Sequence, residues 1–262
     1  MPVATDPGPA LACSRCLLGL DGRMTCAKCG RALPHRGGIV EAIGPLAGTN
    51  RVAAAFYDGP GWVKFRPWER LFLRLQGGAG ARRQILRHLP ATGRVLEVGI
   101  GDGENLPLLP AGWEAYGVDI ARTQLVACTG RVPSMAGRLA WAEGEALPFD
   151  DGAFDATFSI GGFNYFRDQA LALREMKRVT RPGGSLVVAD EVPGLHGYSL
   201  GHLLGVPELT AWCLRATGLD REFVAMILNH HADLDAAARR EWPGHRRFPI
   251  WSRLGYCLVG RA

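Results

Sequence analysis

The amino-acid sequence predicts an α/β protein with a doubly wound, mostly parallel sheet and a small cysteine-containing element in front of it. Two observations support this. From Gly93 onward short apolar runs alternate with helical ones, and the first third of the chain holds two Cys-x-x-Cys pairs. Alternating strands and helices favour parallel strands joined by crossover helices. With 262 residues, 47% of them hydrophobic, the chain has room for one large domain and an appendage.

Composition excludes several classes of protein. The 30 Lys and Arg against 25 Asp and Glu leave a net charge of +5, and the balance of polar and apolar residues excludes fibrous, collagenous and wholly disordered chains. All but three of the basic residues are arginines, which indicates compositional bias more than a nucleic-acid surface. Residues 1–10 are expected to form a flexible N-terminal segment and lack the pattern of a signal peptide. We therefore expect a cytoplasmic protein without a transmembrane segment.

Four cysteines in the N-terminal element have the spacing of a metal site. Cys13 and Cys16 form one pair, Cys26 and Cys29 the other, and nine residues separate the pairs. Two such turns facing each other supply the tetrahedral thiolate set that Zn²⁺ prefers. Two disulfides or a thioredoxin-like redox pair are the alternatives, and the expected reducing compartment disfavours both. We predict a structural zinc ribbon over residues 11–45, because so short a segment lacks a core of its own.

The elements follow in order along the chain. Helical spacing in the stretch 49–76 and again in 81–88, interrupted by a Gly-Gly pair, predicts an N-terminal helical cap over residues 46–90. Residues 91–262 form the main domain, with a helical lid at about 195–235. Its strands are predicted in RVLEVG, EAYGVDI, RLAWAEG, FDATFSI, GGSLVVADEV and LGYCLVG, and its helices in RTQLVACTGRV, in the stretch 169–179 and in LDREFVAMILNHHADLDAAARREW.

The loop after the first main-domain strand favours a cationic ligand over a dinucleotide. Gly99 and Gly101 follow that strand directly, as in a dinucleotide fingerprint, but Glu104 occupies the position where that fingerprint requires a third glycine. A carboxylate there would repel a pyrophosphate. Glu97, two residues before the first glycine, is placed to face a cation, and S-adenosylmethionine carries an ammonium and a sulfonium but no phosphate.

Acidic residues also end the next two strands. Asp119 ends the second strand, where a carboxylate can accept both ribose hydroxyls of a nucleoside. Glu143 and Glu145 follow the third strand, where an acid can accept the adenine amino group. Because the carboxyl ends of parallel strands meet at one edge of a sheet, these acids are expected to converge on one site.

The motifs VLEVGIGDGEN, GVDI, EGEALPFDDGAFDATFSI and REMKRVTRPGGSLVVADE resemble those of class I S-adenosylmethionine-dependent methyltransferases. Within that class the stretch 52–192 is similar to the ubiquinone and menaquinone biosynthesis methyltransferases. The resemblance implies a seven-stranded Rossmann-like sheet. It also departs from the family's usual pattern at Ile100, at Glu143 and at Asn164-Tyr165, the last of which leaves the substrate open. The implied cofactor-binding residues are Tyr57, Glu97, Gly99, Gly101, Asp119, Ile120, Glu143, Gly144, Glu145, Ser159 and Ile160.

Methyl transfer is an in-line displacement, so the protein mainly has to hold the acceptor close to the methyl group and exclude water. A base is needed only for an acceptor that loses a proton, and the candidates are Tyr165, Glu191, His196 and His202. We expect a small hydrophobic or aromatic acceptor: a quinone, phenol, polyketide or lipid-like molecule. A homodimer is left open.

Two alternatives remain at this stage. The four-cysteine element resembles the one that precedes the catalytic domain in ribosomal RNA guanine methyltransferases. An RNA-base methyltransferase would use Arg23, Lys28, Arg31 and Arg36 of that element to contact RNA. A non-catalytic methyltransferase-like protein is the second alternative.

Overall fold

The computed structural model describes residues 9–16, 18–20, 24–75, 77–192, 206–230 and 233–262. The strands in these ranges are β1 (Ala12–Cys13), β2 (Leu18–Gly19), β3 (His35–Arg36), β4 (Ile39–Glu41), β5 (Gly93–Val98), β6 (Trp113–Asp119), β7 (Leu139–Trp141), β8 (Phe154–Ile160), β9 (Thr180–Glu191), β10 (Arg246–Ile250) and β11 (Gly255–Arg261). The helices are α1 (Gly48–Asp58), α2 (Pro60–Leu75), α3 (Gly78–Leu86), α4 (Arg122–Arg131), α5 (Gln169–Val179), α6 (Pro207–Ala216), α7 (Arg221–Asn229) and α8 (Leu234–Glu241).

The main sheet has the strand order β10-β11-β9-β8-β5-β6-β7-β4-β3. Strands β4 to β9 of this sheet run parallel to one another, whereas β3 is antiparallel to β4 and β11 is antiparallel to both β9 and β10. The order reverses between β5 and β8, which creates the switch point where open α/β sheets bind ligands. A doubly wound, mostly parallel sheet is therefore what the chain forms.

The expected number of seven strands is wrong, because this sheet has nine. The two additional strands come from the N-terminal segment: β4 pairs in parallel with β7, from Ile39 opposite Leu139 to Glu41 opposite Trp141, and β3 forms a hairpin with β4. Without them the short strand β7 would present a row of unpaired backbone groups at the sheet edge. The N-terminal segment therefore covers an edge of the main domain.

Helices cover both faces of the sheet because side chains alternate along the buried strands. On β9, Val187 packs with Ile85 of α3 on one face, whereas Leu186 and Val188 pack with Met176 of α5 on the other. These strand residues are 0% exposed. The core of the domain consequently has two layers, one on each side of β5, β8 and β9.

Helices α1, α2 and α7 form a cap over the carboxyl edge of the sheet, built around Phe56, whose ring stacks on Phe223 of α7 with centroids 4.0 Å apart. The cap is tied to the sheet domain by Asp58, whose carboxylate accepts hydrogen bonds from the Thr123 amide and hydroxyl at 2.8 and 2.7 Å. The first of these bonds satisfies a free backbone amide in the first turn of α4. The cap is thus fixed above the ends of β5 and β6.

The described part of the predicted lid, at about 195–235, contains α6 and α7 and ends at the start of α8. The stretch 193–205, which contains His196 and His202, lies outside the described residues. None of the helices described is both long enough and apolar enough to span a membrane.

Candidate active site

A cavity of about 210 Å³ opens at the carboxyl edge of the sheet, between the loop after β5 and the helical cap. It lies at the switch point of the strand order, as expected for this architecture. Many of the residues singled out from the sequence line it: Tyr57, Glu97, Gly99, Gly101, Asp119, Ile120, Gly144, Ile160 and Tyr165. The structure therefore brings the first, second and fourth main-domain strands together at one site.

The glycine loop turns tightly at the floor of this cavity. Gly99 and Gly101 have φ angles of +79° and +56°, in the left-handed region that favours glycine. The amides of Gly99 and Ile100 both donate to the carbonyl of Val118 on β6, at 2.8 and 3.0 Å. This fixes the loop to the neighbouring strand and leaves its backbone open to a ligand.

Glu97, the next-to-last residue of β5, has a carboxylate with a hydrogen-bond partner for only one of its two oxygens among the described residues. It is 1% exposed, and its Oε1 accepts a hydrogen bond from Asn105 Nδ2 at 2.5 Å. Arg82 donates in turn to Asn105 Oδ1 at 3.0 Å, which orients the amide. Glu97 Oε2 is buried and has no hydrogen-bond partner among the described residues. Because a buried charge is costly without a counter-charge, burial raises the pKa of Glu97 to about 8.

Asp119 ends β6 beside the same loop. Its Oδ2 accepts a hydrogen bond from the Gly101 amide at 2.8 Å and its Oδ1 accepts one from the Ala121 amide at 2.8 Å. Burial raises its pKa to about 6, against the lowering effect of these amides. Each carboxylate oxygen keeps a second lone pair, so the group can still accept hydrogen bonds from a pair of ligand hydroxyls.

Glu143 and Glu145 do not line the cavity, although both were candidates for the adenine amino group. The side chain of Asn50 on α1 stands between them and the cavity: its Nδ2 donates to Glu143 Oε1 at 2.9 Å and to Glu145 Oε1 at 3.0 Å. Glu145 is 5% exposed and also accepts from the Asp168 amide at 3.1 Å. The two acids therefore anchor the cap, and Asn50 and Ala142 present the surface there instead.

Ser159 is likewise outside the lining. It is 0% exposed on β8, and side chains alternate along a strand, so its neighbour Ile160 is the one that reaches the cavity. The Oγ of Ser159 has no hydrogen-bond partner among the described residues.

A network of arginines and carboxylates surrounds the far end of the glycine loop. Asp102, 7% exposed, pairs with Arg66 of α2 and with Arg131 of α4, the latter at 2.9 Å. Glu104 pairs with Arg82 at 3.3 Å. The carboxylate of Glu69 faces the cavity from α2, and burial together with the charge of Glu104 raises its pKa to about 7.

Tyr165 and Glu191 form a second polar pair, after β8 and at the end of β9, on the other side of β5 from Asp119. The Tyr165 hydroxyl donates to Glu191 Oε1 at 2.9 Å. Burial and the charge of Glu191 raise the pKa of Tyr165 well above its usual value, so the phenol keeps its proton. Asn164 holds the end of β9 from behind, because its Nδ2 donates to the Glu191 carbonyl at 2.8 Å. Glu191 supports the lining residue without being one itself.

No sequence pattern pointed to several of these residues. Asn50, Arg82 and Asn105 are single polar residues in helices or loops, and their partners lie 93, 23 and 8 positions away. Only Asn105 follows the glycine motif closely enough for its position to have drawn attention. The remaining two act through tertiary contacts alone.

The four N-terminal cysteines converge as their spacing predicts. All four Sγ atoms lie within 4.8 Å of one another, with Cys13 and Cys29 3.7 Å apart. This separation is far longer than a disulfide bond and matches the edge of a tetrahedron with metal–sulfur bonds of about 2.3 Å. Backbone amides of Cys29 and Lys28 lower the pKa of the Cys26 thiol to about 7, whereas a hydrogen bond with Cys29 and burial raise the pKa of the Cys16 thiol to about 12. The donor set fits a closed zinc site.

This cluster is joined to the main sheet. The Ala12 amide donates to the Pro148 carbonyl at 3.2 Å and the Asp150 amide to the Ala10 carbonyl at 3.1 Å. The Arg31 guanidinium donates to two carbonyls just after β4, that of Ile43 at 3.1 Å. A metal bound here would therefore stabilise the covered edge of the sheet.

A doubly wound sheet with a glycine turn and acids after its first two parallel strands defines a nucleoside-binding class of α/β enzymes. Comparison with known proteins gives the family. Residues 96–188 match the family model described as "Methyltransferase domain". The chain is also 35% identical over 184 residues to the demethylmenaquinone methyltransferase of Roseiflexus castenholzii. The aligned residues cover 65% of this chain and 73% of that protein. The chain belongs to the S-adenosylmethionine-dependent methyltransferases.

Other relatives match over shorter stretches. The demethylmenaquinone methyltransferase of Mycolicibacterium gilvum is 38% identical over 112 residues, 42% of this chain and 46% of that protein. The chain thus spans about half or less of the length of the first relatives that it matches. Among solved structures the [4+2]-cyclase SpnF has a TM-score of 0.50 at 18% identity, covering 86% of this chain and 98% of that one, a likeness of fold.

Proposed function

We propose that this methyltransferase binds S-adenosylmethionine in the cavity and methylates a small hydrophobic acceptor of the quinol or phenol class. The observation that supports this most strongly is the division of the cavity into two unlike ends. Glu97 and Asp119 offer acidic acceptors on the glycine-loop side, and Tyr165, backed by Glu191, offers a hydroxyl on the other.

The glycine-loop end fits the cofactor. The buried Glu97 Oε2 has no partner among the described residues, and a ligand ammonium would supply both the hydrogen bond and the counter-charge. Asp119 would accept the two ribose hydroxyls, and Asn50 and Gly144 would face the base. The sulfonium of the bound cofactor supplies the methyl group. We also propose a structural Zn²⁺ on Cys13, Cys16, Cys26 and Cys29, and a cytoplasmic location, where thiolates stay reduced.

The opposite end fits an acceptor with a hydroxyl group. The Tyr165 hydroxyl uses its proton toward Glu191, so its oxygen can accept a hydrogen bond from the acceptor. As the acceptor hydroxyl becomes nucleophilic, its proton passes to the oxygen of Tyr165. At the same time the proton of Tyr165 passes to Glu191, so the Tyr165 side chain stays neutral throughout. Proton transfer of this kind contributes about 10² to 10⁴ in rate. His196, the remaining candidate, stays a proposal for the stretch outside the described residues.

Apolar residues in the cavity lining favour a hydrophobic acceptor. Tyr57, Trp62, Phe166 and Ile160 line the cavity, and the rings of Tyr57 and Trp62 meet edge to face with centroids 4.9 Å apart. Such a lining excludes water and holds an acceptor in line with the methyl group. The relatives named as demethylmenaquinone methyltransferases support a quinol as the acceptor.

Two arginines assigned to RNA in the alternative function have other partners. Arg31 donates to backbone carbonyls after β4, and Arg36 pairs with Glu41 at 3.5 Å. The cysteine element therefore offers less free positive charge than its sequence indicates.

The proposal is tested by incubating the purified chain with methyl-labelled S-adenosylmethionine and, separately, a reduced demethylated naphthoquinone, a simple phenol and ribosomal RNA fragments. We expect label in the quinol or phenol and none in RNA, with products identified by mass spectrometry. Label in RNA alone would replace the proposal with the first alternative. No label in any acceptor, together with measurable cofactor binding, would favour the non-catalytic alternative.

A further inference from the structure

The second half of α2 carries an apolar stripe that faces outward. Trp68, Leu71 and Phe72 are each 45% exposed and Leu75 is 75% exposed. They stand at positions i, i+3, i+4 and i+7, so they share one face of the helix. Large apolar residues at this spacing ordinarily pack against a core.

The inner face of the same helix already has its packing partners. Trp62 and Phe65 contact the aromatic cluster around Phe56, and Glu69 faces the cavity. The stripe is centred about a quarter turn around α2 from these residues, because successive residues of a helix turn by about 100°. It therefore adjoins the packed face, and its exposure shows that it is not needed to hold the cap on the sheet.

The net positive charge of the chain is concentrated in the segment that contains α2. Residues 60–90 contain seven basic side chains and one acidic one, a net of +6, whereas the whole chain has a net of +5 and the remaining residues therefore −1. Arg66 and Arg82 are paired with carboxylates of the glycine loop. The five that remain are exposed: Lys64, Arg70, Arg74, Arg83 and Arg87.

We propose that this face of α2, with its exposed arginines and lysine, docks on the surface of an anionic lipid bilayer. A helix with tryptophan, phenylalanine and leucine on one face and basic residues beside it lies in the membrane interface, where both the apolar area and the charge contribute to binding. Leu71 and Leu75 fit acyl chains and offer no stacking surface to RNA. A second copy would bring two basic surfaces together, which disfavours self-association.

The position of α2 gives this contact a consequence for the active site. Because Trp62 and Glu69 of the same helix line the cavity, a docked α2 would place the cavity mouth next to the bilayer. A lipid-borne acceptor could then enter without crossing water. Only this consequence rests on the proposed function, and the docking itself does not.

The experiment is co-sedimentation of the full chain with vesicles of one part phosphatidylglycerol to three parts phosphatidylcholine, and with vesicles of phosphatidylcholine alone. We expect binding to the anionic vesicles that weakens at high salt. Leu71→Gln with Leu75→Gln should lower the partition constant about tenfold or more, because each leucine loses most of its transfer free energy. Val126→Gln, an apolar residue of α4 that is 54% exposed, is the matched control.

Charge reversal provides the second arm. Arg70→Glu with Arg74→Glu should abolish binding to anionic vesicles, whereas Arg221→Glu with Arg239→Glu, two exposed arginines on α7 and α8, should leave it unchanged. Wild-type protein that stays in the supernatant, or stripe variants that bind like wild type, would overturn the proposal. The proposal would also be overturned if the stripe substitutions weakened binding to RNA and not to vesicles. The same holds if light scattering showed a wild-type dimer that these substitutions convert to a monomer. Methylation of a water-soluble acceptor without vesicles reports the proposed function separately, since none of these variants touches the cavity.

Discussion

We expect cofactor binding to be linked to proton release through Glu97, and this linkage can be measured. In the free protein burial raises the pKa of this carboxyl to about 8. In the proposed complex the cofactor ammonium faces Glu97 Oε2 and favours the ionised form. Binding below pH 8 therefore has to release the proton, and the variant Glu97→Gln, which keeps the acceptor for Asn105 but has no proton to release, removes that step.

The number of protons released on binding follows from the pKa of Glu97. At pH 6.5, about 1.5 units below the pKa, the protonated form outnumbers the carboxylate roughly 30 to 1, so each molecule bound should release about one proton. The sign is fixed: a carboxyl whose pKa falls on binding favours the complex more as pH rises. The affinity of the wild type should consequently rise up to about tenfold for each pH unit below 8 and level off above it.

The assay is isothermal titration of S-adenosylmethionine into the protein at pH 6.5, in two buffers with different ionisation enthalpies. The difference in heat gives the protons released, and we expect about one proton more for wild type and for the exposed control Glu208→Gln than for Glu97→Gln. Wild-type binding without proton release would refute the assignment of the cation to Glu97. A variant that releases as much as wild type would move the linkage to another group.

Three further predictions follow from the cap, the cysteine cluster and the acceptor end of the cavity. Asn50→Ala should lower the free energy of unfolding by about 2–3 kcal/mol in urea titrations, because Glu143 and Glu145 lose the hydrogen-bond donor that they share. The control Asn229→Ala, at an exposed position, should change it by less than about 0.5 kcal/mol. Equal effects of the two substitutions would contradict the anchoring role of Asn50. Elemental analysis should find about one zinc per chain, lost together with thermal stability in Cys26→Ser but kept in the exposed Cys213→Ser; a metal-free wild type would leave the cluster without its proposed function. Tyr165→Phe should lower kcat by about 100-fold with the KM for the cofactor unchanged, and an unaltered kcat would exclude the proton path.

Local sequence patterns were enough to predict much of this structure. The period of the apolar residues predicted the parallel strands, and the spacing of the two Cys-x-x-Cys pairs predicted a cluster that the structure brings together. Acids at strand ends predicted where Glu97 and Asp119 meet, because the carboxyl ends of parallel strands share one edge.

Features that depend on long-range contacts were not predictable in this way. β4 is three residues long, too short for its alternation to show, and it is a strand only because β7 offers an open edge. Asn50 resembles any polar residue of a surface helix until the fold sets it beside Glu143 and Glu145. The positive charge of residues 60–90 did not stand out in the sequence, because their net charge of +6 and the −1 of the remaining residues sum to only +5.

The central claim is that the cavity above the glycine loop holds the cofactor, and one titration tests it most directly. Calorimetry of S-adenosylmethionine with wild type and Asp119→Ala, with the exposed Asp151→Ala as control, should show one site per chain in wild type and control. The Asp119 variant should bind at least about 100-fold more weakly, since it loses two hydrogen bonds to a charged acceptor. An Asp119 variant that is folded and binds as tightly as wild type would contradict the account.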